Sequence, residues 1–279
     1  MSLAEGETAR VGEVDDSAVL CEITSGGVAV LSLNRPERLN TWAADIATEF
    51  YVRIDRADAN PDVRAIVITG RGRAFCAGAD MGSVSGANTL ADGDPVDVGA
   101  VIGDRPPHFL MDLRKPVIAA INGACVGIGF THALMCDVRF AAAGTKFAAP
   151  FARRGLIAEH GISWILPRVA GPGVARELLL SGRTFRAEEA RDLGLVTGVV
   201  ASEDLLAQAV SYAEGLAANC SPASLAQIKA QLTIDAEGGM DEATARAEEL
   251  MAESLARPDV IEGITAFLEK RPPRFPPLA

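Results

Sequence analysis

Short aliphatic and β-branched runs dominate the chain up to about residue 200, and stripes of helical period dominate the rest. Runs at 19–24 and 28–33 are joined through Ser25-Gly26-Gly27, which predicts a hairpin. Pro36 then imposes a loop over 34–38, because it bars Arg35 from the α region. Thr41 is placed to cap a helix whose apolar face, Trp42, Ile46, Phe50 and Ile54, repeats every four residues. Pro61 follows the end of that helix. Runs at 63–69, 117–121, 138–142 and 196–200 predict buried strands. Residues 82–107 are rich in Gly, Ser, Asp and Pro, lack periodicity, and predict a long mobile surface segment with room for one short helix. Helical patterns occupy 162–169, 174–180 and 187–193, and three or four more fill 203–270. No internal repeat emerges. The pattern predicts an α/β core over 1–200 and a helical region over 201–279.

Composition narrows the classes. The charge sum is 26 basic against 37 acidic residues, a net −11, which excludes a general nucleic-acid binder and offers little to anionic lipid. With 49% hydrophobic and 23% charged residues the chain can bury a large core. The five cysteines are widely spaced with no CxxC pair, so neither a disulfide framework nor a zinc site is expected, and a reducing compartment fits. Residues 1–18 are acidic, without an apolar or Arg-rich targeting pattern, and the expected location is the cytoplasm. Residues 116–136 carry no charge, yet Asn122, Gly123, Gly127 and Gly129 interrupt them, so a buried strand, a glycine turn and a buried helix are expected rather than a membrane span.

Candidate chemistry sits at two glycine-containing turns after buried strands: 74–80 (Ala-Phe-Cys-Ala-Gly-Ala-Asp) and 122–129 (Asn-Gly-Ala-Cys-Val-Gly-Ile-Gly). Ligands of α/β proteins favour the carboxyl ends of strands, where small residues expose backbone N–H groups. Two such turns facing each other can hold one developing oxyanion between two donors. On the residues alone, tight strand-to-helix packing accounts for the same glycines, and both readings stand. Gly127-Ile128-Gly129 begins a dinucleotide fingerprint, but His132 occupies its last glycine position and Asp137 comes too soon for a ribose ligand.

Four motifs in order, residues 33–40, 74–80, 122–137 and 266–271, resemble the crotonase (enoyl-CoA hydratase/isomerase) superfamily, and the likeness runs from about Val19 to Arg271. The resemblance implies an α/β, crotonase-like spiral of ββα units with a C-terminal helical oligomerisation region, assembled as a homotrimer or a dimer of trimers. It implies an acyl-CoA thioester as substrate and partner, with coenzyme A as part of the substrate and no separate cofactor or metal. Carried onto this chain, the amides of Ala79 and Ile128 become the oxyanion donors. Arg38, Leu39, Ala77, Ala79 and Asp80 line the CoA moiety. Phe267 and Lys270 of a neighbouring subunit approach its phosphate end. On the residues alone, Asp80 also fits a helix cap and Lys270 a solvated surface lysine.

Members resembling the hydratase use two glutamates, and at those positions this chain has Thr131 and Phe151, neither of which moves a proton near neutral pH. The segment 155–164 instead resembles the one in which enoyl-CoA isomerases place a single catalytic carboxylate, here Glu159. The expected activity is therefore double-bond isomerisation in fatty-acid or aromatic-acid degradation, with Glu159 as base. Phe151, Ile157, Ile162 and Trp164 are expected to form an apolar wall that raises its pKa. The alternatives are an enoyl-CoA hydratase, or a lyase or ring-opening enzyme, with a nonstandard base, and an inactive CoA-binding homologue. His132, His160 and His108 are expected to be structural or on the surface.

Overall fold

The computed structural model describes residues 16–80, 105 and 108–278. Two sheets organise it, and from the third to the eighth strand successive strands alternate between them. The larger sheet has the order β1 (Val19–Ile23), β2 (Val28–Leu33), β3 (Ala65–Gly70), β5 (Val117–Ile121), β7 (Val138–Ala142), β10 (Gly198–Val200). Only the β1–β2 hairpin is antiparallel there. The smaller sheet has the order β4 (Ala74–Cys76), β6 (Ala124–Val126), β8 (Lys146–Ala148), β9 (Thr184–Arg186), parallel except for β8–β9. Each turn of the chain, β3 to β4, β5 to β6 and β7 to β8, lays one strand in each sheet and then moves one place along, which is the expected spiral.

The larger sheet is covered on both faces, so its strands read as continuous apolar runs. Ile66 and Ile68 of β3, with Ala119 and Ile121 of β5, face a core shared with α1 (Ala44–Ala59) and α3 (Ile128–Met135). The alternate residues, Val67, Ile118 and Ala120, face Leu205, Ala209 and Ala213 of α7 (Leu205–Asn219). Small residues on α7 let it lie close to the sheet. Around this core stand α2 (Phe109–Asp112), α4 (Ile162–Ala170), α5 (Pro172–Ser181), α6 (Ala187–Asp192), α8 (Pro222–Asp235), α9 (Met240–Leu255) and α10 (Pro258–Glu269). Among the described residues, no helix is long and apolar enough to cross a membrane.

Three expectations need correction. The first helix does not start at Thr41: it is Ala44–Ala59, with Ala43 as its uncapped N-cap residue. Trp42 is withdrawn from it by backbone pairing, its N–H donating to Gly78 O (2.8 Å) and its carbonyl accepting from Asp80 N (2.9 Å). The segments read as glycine turns each contain a three-residue strand, β4 and β6, too short to carry a period. The run at 63–69 forms a strand two residues later at its start, because Val63 caps the preceding turn through Asn60 O. The 82–107 segment, Arg105 excepted, lies outside the described residues.

Candidate active site

Two asparagines fix β4 against its neighbours. Asn40, fully buried, accepts from Arg35 N and donates to Arg71 O and Ala74 O, while Asn122 accepts from Gly70 N and donates to Gly72 O and Ala74 O. Close packing explains two of the glycines. A Cβ on Gly123 would fall 2.1 Å from Arg73 O, and one on Gly129 would fall 2.4 Å from Cys76 O, so α3 can rest on β4 only through glycine.

Two other glycines turn the chain. Gly78 (φ +105) and Gly127 (φ +55) precede Ala79 and Ile128 and lie against each other, a Gly127 Cβ falling 3.8 Å from Gly78 Cα. Each left-handed residue redirects the next peptide. Because the Trp42 bridge uses Gly78 O and Asp80 N, the N–H of Ala79 points to the opposite side of its strand. Ile128 opens α3, so its N–H has no intrahelical acceptor and carries the positive end of the helix dipole. Among the described residues neither amide donates to another backbone group. The two predicted donors are thus brought side by side.

Arg38, Leu39, Ala77 and Asp80 gather around the same turn. Ala77 N donates to Leu39 O (3.1 Å), and Arg38 lies 3.8 Å from the Asp80 carboxylate. Phe267 and Lys270 do not join them. They end α10, exposed, and the segment after α10 is held by Arg64, which donates to Phe275 O and Pro276 O just ahead of β3. That is the end of β3 away from β4 and Ala79. The helix that Asp80 was expected to cap lies outside the described residues.

Trp42 packs on His132 at 4.3 Å between ring centroids, and His132 lies one turn beyond Ile128 on α3. Burial, and beyond it the nearby positive charge that His160 would carry, push the His132 pKa down to about 3, so its ring is neutral. His160 Nε2 in turn lies 3.4 Å from Glu159 Oε2. Burial also raises the pKa of Glu159 and lowers that of His160. Glu159 precedes α4 in a tight turn, its carbonyl accepting from Ile162 N (3.1 Å). Thr131 is fully buried with its hydroxyl donating to Gly127 O, and Phe151 is buried in the core. Of the expected wall, Ile162 and Phe151 are buried and Trp164 packs on the core, but Ile157 is 80% exposed. Beyond Gly161 a cavity of about 420 Å³ is lined by Met111, Met135, Trp164 and Ile234 with His108 and Asp112.

The enoyl-CoA hydratase/isomerase family model matches residues 23–277. The chain belongs to this family. It is an enzyme of the enoyl-CoA hydratase/isomerase type, whose substrates are acyl-CoA thioesters. A probable enoyl-CoA hydratase, echA8, of Mycobacterium tuberculosis is 36% identical over 248 residues, 89% of this chain and 94% of that one. The 1,2-epoxyphenylacetyl-CoA isomerase of Escherichia coli is 34% identical over 252 residues, 89% and 95% of the two chains. The solved enoyl-CoA hydratase EchA12_1 of Mycobacterium marinum is 58% identical, covers 80% of this chain and all of that one, and superposes with a TM-score of 0.67. Sequence reasoning left Asn40, Asn122, Trp42 and both histidines out of the family site. Only the buried polarity of the asparagines, beside strand ends, signals their role.

Proposed function

We propose that this enzyme moves a carbon–carbon double bond of an enoyl-CoA from the β,γ to the α,β position, with Glu159 as its one proton-carrying carboxylate. The observation that carries the reading is the distribution of carboxylates. The two positions that serve hydration hold a buried threonine and a buried phenylalanine, while Glu159 is part-buried and has a raised pKa. The ionised Glu159 takes the α proton, and the electrons of that C–H bond pass into the thioester, forming a dienolate. The N–H groups of Ala79 and Ile128 hold the developing oxyanion. Glu159 returns the same proton to the γ carbon, the electrons fall back, and the new double bond lies between the α and β carbons. No water is consumed, and one carboxylate suffices.

A second reading, hydration with a nonstandard base, is favoured by the names of several relatives, including the 58%-identical one. The isomerase name of the Escherichia coli relative supports ours. We also propose assembly as a homotrimer or dimer of trimers. Met251, Leu255, Ile261, Ile264, Phe267 and Leu268 are each more than half exposed on α9 and α10, an apolar area that a second copy would cover. Phe267 and Lys270 would then reach the CoA of a neighbour rather than their own.

The test is conversion of a 3-enoyl-CoA to the 2-enoyl-CoA, with solvent deuterium exchange at the α carbon, in wild type and Glu159→Gln. Wild-type turnover that falls by about 100-fold or more in the variant supports the base. Hydration of a 2-enoyl-CoA that survives Glu159→Gln sinks it.

A further inference from the structure

We propose that His160 is a positioning residue for Glu159, holding one carboxylate oxygen so that the other carries the proton. The proposal rests on Glu159 being the base. Its basis is a side chain that the local backbone does not call for. His160 has φ +58 and is followed by Gly161 at φ +76, two left-handed residues in succession. Glycine adopts that conformation freely, and histidine is among the few residues with a side chain that are enriched there. A glycine would therefore serve the turn, and the imidazole is explained by what it touches.

Its side chain is only 8% exposed, while that of Glu159 is 32% exposed, and Nε2 faces Oε2 at 3.4 Å. Such contacts shorten when substrate completes a site. His132 of α3, near enough to feel a charge on His160, is itself buried and neutral. A charged His160 would be opposed by its own burial, so the ring meets Glu159 as a neutral N–H donor. A neutral donor orients the carboxylate without the strong stabilisation a cation would give, and leaves it basic enough to take the α proton. With Oε2 engaged by His160, Oε1 remains to receive the proton and pass it on. The tight turn from Glu159 O to Ile162 N fixes the backbone of both residues to the start of α4, so the pair moves as a unit with that helix.

The experiment compares wild type, Glu159→Gln, His160→Gly and His160→Asn for 3-enoyl-CoA turnover, α-proton exchange and thermal midpoint. Glycine fits the left-handed backbone, so His160→Gly should melt no lower than wild type. Its kcat should fall by roughly 10- to 100-fold, the scale of a misplaced reacting group, with KM within about twofold. Asparagine tolerates the same backbone and restores an N–H donor, so His160→Asn should recover a substantial part of that loss. Wild-type kcat in His160→Gly, while Glu159→Gln is dead, overturns the positioning role and leaves the base intact. Equal losses in the Gly and Asn variants also overturn it. Exchange surviving in Glu159→Gln removes the base itself, and this proposal with it.

Discussion

Acid should weaken the fold through one ring. His132 sits among Trp42, Phe50, Cys76 and Cys136 beside a cavity of about 10 Å³, and its Nε2 has no hydrogen-bond partner among the described residues. Its pKa is about 3 in the folded chain against an ordinary 6.5. Below pH 6.5 the unfolded chain therefore binds a proton that the folded chain refuses. The stabilisation is complete above pH 6.5 and is lost as pH falls toward 3. Linkage between those values gives about 2 kcal/mol lost at pH 5 and about 4 kcal/mol by pH 3. The perturbation is His132→Phe, which keeps a flat ring against Trp42, has the small cavity to grow into, and deletes an unsatisfied polar atom. Urea unfolding followed by tryptophan fluorescence, at one protomer concentration, gives stability at pH 7.5 and pH 5 for both proteins. Contributions from titratable groups distant from His132 cancel in the difference. The wild type should lose about 2 kcal/mol more than the variant. Equal losses would refute the reasoning and place His132 in contact with solvent or with a proton acceptor.

Three further outcomes are expected at the site. The acid limb of kcat/KM should lie above the ordinary carboxylate range, because burial raises the Glu159 pKa and the base works only when ionised; a pH–rate profile checks it. Gly129→Ala should cost about 2 kcal/mol or more and most of the activity, since the new methyl must push Cys76 O of β4 away from α3 and so separate Ala79 from Ile128; denaturation and turnover report both effects. Phe267→Asp should shift the protein toward a smaller species in light scattering after size exclusion, and should raise KM for the CoA ester if a neighbour's Phe267 lines its site.

How much was legible depends on how much side chain each element buries. The strands at 28–33, 117–121 and 138–142 match their runs, because most of their positions are buried on both faces, with Ser32 and Arg139 as polar exceptions that do not interrupt the run. The second sheet was invisible, since three residues such as Ala74–Cys76 carry no period and are held by Asn40 and Asn122 from elsewhere in the chain. The four-residue stripe was right about burial at Trp42 and wrong about its helix, because a backbone pairing with Gly78 and Asp80 outweighs one more helical turn. The glycines of the two turns do different things. Gly123 and Gly129 are there for backbone contact, and Gly78 and Gly127 turn the amides of Ala79 and Ile128.

That division bears on why the site is poor in charge. On the proposed mechanism the only charge that must change place is the proton shuttled by Glu159, with the oxyanion answered by two amides. Any further ionised group nearby would compete. A carboxylate at Thr131, where the side chain is fully buried one turn into α3, would need desolvation and a partner of its own. A cationic His132 or His160 would hold Glu159 ionised and blunt it as a base. Burial keeps both rings neutral, and Phe151 is as silent as they are. Hydration needs a second group to direct water, and isomerisation needs water kept away. On the proposed mechanism, the residues that stand in place of the hydratase pair are therefore the same ones that would keep water from a single carboxylate.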